Sequence, residues 1–128
     1  MKSGIEAILV AASGLYNLAF AVFHLMFWRL FAWPSSLANS GKLNCAITQT
    51  LNVVLIYCFV AYGGALLWLS ARESPSISAL LAAGGGFWLL RSVLQSMLFT
   101  IRNKVATGIT IAFVMGAALH LIAAVPAL

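Results

Sequence analysis

One residue in this chain has a chemistry its surroundings do not explain. Arg91 stands inside a long apolar run, flanked by Leu89 and Leu90 on one side and Val93 and Leu94 on the other. A guanidinium stays charged at any physiological pH and presents five N–H donors in a planar fork that fits a carboxylate or a phosphate. The chain holds only two acids, Glu6 and Glu73, both far from Arg91 along the sequence. The chemistry suggested is therefore capture of an anionic group. Around Arg91 the apolar runs carry a small set of other polar side chains: Asn17, His24, Gln49, Asn52 and Gln95, with Trp88 one turn before the arginine. His24 titrates near neutral pH and could sense or carry a proton. It reads equally well as a packing histidine.

Other chemistries lack their residues. No acid is placed to orient a histidine, so a Ser-His-Asp or Cys-His arrangement is missing. No His, Cys and carboxylate cluster shows metal-ligand spacing, and neither a metal nor a cofactor is expected. Haem held by two histidines would need them at one depth. His24 lies toward the first loop, whereas His120 lies roughly 8 Å from the middle of the last apolar run on the other side, nearer the interface. Gly84-Gly85-Gly86 lacks the strand and the Lys-Ser/Thr of a phosphate loop and reads as a place of close helix approach, like Gly63-Gly64. Cys45 and Cys58 are separated by about 20 Å of helix, so they cannot pair with each other and read as packing residues.

The elements that must position these residues follow from composition. Hydrophobic types make up 63% of the 128 residues and charged types only 7%. Soluble domains carry about 25% charge, so the solvent for this surface is lipid. A spanning helix takes roughly 20 apolar residues. Four such runs, approximately 5–31, 44–69, 77–101 and 105–125, use nearly the whole chain. The expected fold is all-α: one polytopic domain, an antiparallel bundle of four transmembrane helices with crossings near roughly 20°. The first run follows Met1-Lys2 but is too long for a signal peptide and reads as a retained helix. Pro34 should stop it, with Trp28 and Trp33 at the interface. A polar loop, 35–42, leads to the second run, and Ser76 should cap the third.

The net charge of +5 comes from basic residues at the ends of the runs, which orient a chain in the bilayer; nucleic acid is not an expected partner. The first and third loops carry Arg29, Lys42, Arg102 and Lys104, against Lys2 and Arg72 on the side of the termini. The excess of basic residues predicts that loops one and three are cytoplasmic and both termini outside, in a cell membrane such as the bacterial inner membrane.

Depth and spacing group the polar residues. On a rise of 1.5 Å per residue, His24 lies roughly 9 Å from the middle of its run, and Asn52 and Gln49 roughly 7 and 11 Å from theirs, all toward loop one. Arg91 lies within about 3 Å of the middle of the third run, with Gln95 roughly 9 Å toward loop three, and Thr110 and Thr107 roughly 8 and 12 Å toward that same side. All four runs thus place polar groups in one half of the membrane. Helical spacing gathers Asn17, Ala21, His24 and Trp28 into one stripe, Cys45, Gln49, Asn52 and Ile56 into a second, and Gly84, Trp88, Arg91, Gln95, Leu98 and Arg102 into a third.

The run from His24 through Trp28 and Arg29 to Trp33, with Asn44, Gln49 and Asn52, resembles uncharacterised families of small four-helix bacterial integral membrane proteins. That resemblance implies fold and membrane location and no activity. The size is also similar to that of the small multidrug transporters. Those depend on an embedded glutamate in their first helix, where this chain has Asn17 and His24 and no carboxylate.

Three functional expectations follow. The first is a membrane binding or accessory protein whose intramembrane pocket, built from Arg91, His24, Gln95, Asn52 and Gln49 with Asn17 and Trp88 alongside, holds the head of a lipid-like or anionic molecule or docks a partner subunit. The alternative is a small homo-oligomeric transporter. An enzyme acting on a lipid-like substrate, with His24 as acid or base, comes last for want of a carboxylate or nucleophile.

Overall fold

The structure, a computed structural model, describes residues 3–99 and 102–125. It is all-α: α1 (Gly4–Leu25), the short α2 (Phe27–Leu30), a 3₁₀ turn (Ser35–Ser40), α3 (Lys42–Ser70), α4 (Ile77–Leu98) and α5 (Lys104–Ala124). The four long helices are each apolar enough and long enough to cross a membrane, which makes this a multi-pass membrane protein. Their backbone groups are satisfied within each helix, as lipid requires.

The helix ends follow local chemistry. Ser3 and Glu6 form a reciprocal capping box at the start of α1: Ser3 Oγ accepts from the Glu6 amide (3.2 Å), and the Ser3 amide donates to Glu6 Oε2 (3.1 Å). This pairing satisfies exposed donors and places one of the two acids at the helix terminus that favours it. The first apolar run is not one helix to Phe31. It is interrupted at Met26, where α1 ends and α2 begins. The segment 35–42 is not an irregular loop: the 3₁₀ turn Ser35–Ser40 fills most of it, and its hydroxyls close back on carbonyls three residues earlier, Ser35 Oγ on Ala32 (2.6 Å) and Ser40 Oγ on Leu37 (2.7 Å). Gly41, at φ 88°, takes the left-handed backbone that leads into α3. Ser76 stands at the N-cap of α4, but its backbone is already helical and its side chain caps nothing. A second side-chain cap forms at Asn103, whose side chain accepts from the Ala106 amide (2.7 Å) at the start of α5. α4 ends at Leu98, short of the expected end of the third run at Ile101, which lies outside the described residues. At the end of α3, Arg72 lies over the Trp68 ring (3.5 Å) and donates to its carbonyl (3.0 Å). A cation at a helix C-terminus beside an indole suits the membrane interface.

The chain divides into two compact units, one of residues 14–65 and one of residues 1–13 with 66–128. In the first, α1 and α3 run antiparallel, and each step forward on α1 is matched by a step back on α3. Gly14 lies over Gly63, Phe20 beside Phe59, His24 against Asn52, and Trp28 against Gln49. The tightest point is Gly63, where an added Cβ would stand 2.8 Å from the Gly14 carbonyl oxygen and 3.1 Å from Leu18 Cγ. Gly64 faces open space. An aromatic ladder of Tyr16, Phe20, Phe23, Phe27 and Phe31 runs along α1 and α2 at centroid spacings of 4.8–5.9 Å, within the range of favourable ring pairs.

In the second unit, α4 and α5 form an antiparallel hairpin. Ile77, Leu81, Gly84, Gly85, Trp88, Ser92 and Gln95 make the buried face of α4. Their three- and four-residue spacing is that of one helical stripe. Gly85 admits Leu121 of α5, whose Cδ2 would stand 2.5 Å from a Cβ added there. Of the glycine triplet, Gly86 meets nothing.

Candidate functional site

The seven polar and aromatic residues singled out above fall into two clusters, one in each unit. In the unit of residues 14–65, His24 and Asn52 join α1 to α3 by two hydrogen bonds. Asn52 Nδ2 donates to the His24 carbonyl (3.0 Å), and His24 Nδ1 meets Asn52 Oδ1 (2.7 Å). An amide oxygen only accepts, so Nδ1 is the donor in this bond. The imidazole stacks on Phe27 (4.3 Å) and tilts against Phe59 (5.3 Å). One turn nearer the first loop, Trp28 Nε1 donates to Gln49 Oε1 (2.9 Å), and Gln49 Nε2 turns back to Cys45, to its carbonyl (3.3 Å) and its sulfur (3.4 Å). Asn52 is 5% exposed and Asn17, two turns back on α1, 2%. His24, Asn52, Trp28 and the Gln49 side-chain oxygen thus spend polar groups on a second helix. That arrangement fixes register and orients the histidine.

In the unit containing α4 and α5, Arg91 is half-buried and its guanidinium runs along α4 toward Leu98. Nη1 donates to Gln95 Oε1 (3.1 Å), one turn on. The guanidinium carbon lies 4.4 Å from the centroid of Phe113 on α5 and 5.6 Å from that of Phe99. Both distances suit cation–π attraction, about 2 kcal/mol or more where water is excluded. Phe113 in turn stacks on the buried Trp88 (5.8 Å, 26°), so a layer of two rings backs the cation. Gln95 is 3% exposed. With α4 ending at Leu98, Arg91 lies about 5 Å from the helix middle, and about 10 Å from its end. Among the described residues, Gln95 supplies its one hydrogen-bond acceptor, against five donors on the guanidinium. Glu73 precedes α4, and Arg91 stands about 21 Å along that helix from Ile77. Glu6 is held by its own capping box.

The threonines expected to join this polar half serve their own helix instead: Thr107 Oγ1 donates to the Asn103 carbonyl (3.0 Å) and Thr110 Oγ1 to that of Ala106 (2.9 Å). His120, placed near the interface by sequence, is fully buried, and its Nδ1 donates to the Gly116 carbonyl (2.7 Å). Leu98 and Arg102, the outer members of the α4 stripe, are exposed. Sequence reasoning did not identify Phe113 and Phe99 as the partners of Arg91. The signal for Phe113 was available, since in an antiparallel hairpin it stands about as far after the turn as Arg91 stands before it. Among the described residues no group of three or more His, Cys, Asp or Glu side chains comes together that could hold a metal.

No family model, no curated protein and no solved structure matches the chain. The likeness of the stretch around His24 and Trp33 to small four-helix membrane proteins is thus one of architecture, and function is read from the residues themselves.

Proposed function

We propose that this is an integral membrane binding or accessory protein that holds the anionic group of a lipid-like molecule on Arg91. The observation that carries this reading is a guanidinium inside a spanning helix, backed by two aromatic rings and one amide, with no carboxylate in reach among the described residues. An arginine near the bilayer centre costs about 2.5–3.5 kcal/mol on insertion scales. Cation–π contacts and one hydrogen bond offset part of that cost and leave most of the N–H fork for a ligand. A planar fork suits a phosphate or carboxylate, and a membrane supplies such groups on lipids and isoprenoids. The His24–Asn52 and Trp28–Gln49 pairs are the scaffold that holds α1 and α2 on α3. The chain sits in a plasma membrane with loops one and three on the cytoplasmic side and both termini outside, by the excess of basic residues.

Native mass spectrometry of the gently extracted protein tests the reading. The wild type should carry a small mass that Arg91→Leu lacks and Arg91→Lys holds weakly, since an ammonium cannot reproduce the bidentate fork. A second protein chain lost in Arg91→Leu would make this an accessory subunit whose arginine meets a partner's acid. Identical spectra for wild type and Arg91→Leu would overturn both.

A further inference from the structure

The unit of residues 14–65 contains an open groove of about 570 Å³ between the 3₁₀ turn and the first two turns of α3. Its size falls within the roughly 300–1,000 Å³ of ligand clefts. The groove exists because the facing residues are small. Ala38 stands on one wall, and Gly41, Cys45 and Ala46 on the other, so the two segments cannot fill the space between them. Lys42, Cys45, Ala46 and Gln49 recur at helical spacing on one face of α3 and line the groove from rim to floor. The floor is rigid, because Gln49 is engaged by Trp28 and by Cys45. The rim carries Lys42, which is exposed.

Position and charge decide what would enter. The groove lies in the connection that leads into α3 and against the first turns of that helix, and the same connection carries Trp28 and Trp33, aromatics that suit a membrane interface. Its walls are mostly apolar, so a small soluble anion would find one lysine and little else. The charged side chains of this unit are Arg29 and Lys42, both basic, and neither acid of the chain belongs to it. A trimethylammonium headgroup would meet only like charge.

We infer that this groove binds one anionic glycerophospholipid, with the headgroup phosphate on Lys42 and the glycerol and upper acyl chain along Ala38 and Ala46. The groove is built from residues of the 14–65 unit alone, and the inference does not rest on the function proposed above.

The test is titration of the delipidated full-length protein, read by native mass spectrometry, with phosphatidylglycerol and with phosphatidylcholine of the same acyl chains. The wild type should bind a first phosphatidylglycerol in preference to phosphatidylcholine. Lys42→Gln should weaken that first binding about fivefold, the effect of one basic residue at an anionic surface. Lys42→Arg should retain it. Ala46→Phe, which fills the groove at an exposed position without touching charge, should also remove it. Equal binding of the two lipids by the wild type, or unchanged phosphatidylglycerol binding in either Lys42→Gln or Ala46→Phe, would refute the inference.

Discussion

Adding a single methyl group at Gly63 should push α1 and α3 apart, and adding the same group one residue later should not. At Gly63 an alanine Cβ would lie 2.8 Å from the carbonyl oxygen of Gly14 and 3.1 Å from Leu18 Cγ. Ordinary contact begins at 3.4 Å, so the methyl is roughly half an ångström too close to a backbone atom that cannot rotate away. Overpacking of this kind costs about 1–3 kcal/mol. A glycine-to-alanine change inside a helix gains up to about 1 kcal/mol in propensity. The net expectation for Gly63→Ala is a loss of about 1–2 kcal/mol. Gly64→Ala meets nothing within 4 Å and should be neutral or stabilising by up to about 1 kcal/mol. The two variants have the same composition and sit on the same helix, so the difference between them, about 2 kcal/mol or roughly thirtyfold in the unfolding equilibrium, isolates the helix contact. Unfolding in mixed micelles, followed by tryptophan fluorescence, measures it. Equal stability of the two variants would mean that α1 and α3 do not cross at Gly14 and Gly63.

Two further outcomes follow from the site geometry. A double-mutant cycle of His24→Ala and Asn52→Ala should show a coupling of about 0.6 kcal/mol, that of the one bond between the two side chains, since the Asn52 bond to the His24 carbonyl survives His24→Ala; strict additivity would remove the side-chain pair as a link between α1 and α3. In cells, a membrane-impermeant maleimide should label Cys45, which lines the groove at the first-loop end of α3, only after permeabilisation, and should label the mid-membrane Cys58 poorly throughout. Labelling of Cys45 in intact cells would reverse the proposed orientation.

Much of the architecture could be read before any coordinates. Four apolar runs, the scarcity of charge and the basic loop ends specify spanning helices, because a lipid solvent leaves the backbone no alternative partner. The stripes were legible too: Asn17 and His24 on α1 with Trp28 on α2, Gln49 and Asn52 on α3, and Trp88 and Gln95 on α4 are buried or half-buried, since period and face are properties of local helix geometry. The ends of helices were less so. Met26 interrupts the first run and α4 stops at Leu98, because termini depend on local capping, such as that of Asn103, and on neighbours.

Which polar group meets which was decided by tertiary structure. Sequence places His24, Gln49 and Asn52 at similar depths and offers all of them, with Gln95, to Arg91. In the folded chain Asn52 meets His24, Gln49 meets Trp28, and both threonines bond carbonyls one turn back, while Arg91 keeps Gln95 and gains the face of Phe113. The physical reason is that periodicity fixes the direction in which a side chain points but not how far one helix slides along the next. That register is set where the helices come closest, at Gly63 on the Gly14 backbone and at Gly85 under the Leu121 side chain, and hydrogen bonds shorter than about 3.2 Å form only between the groups that the register brings level.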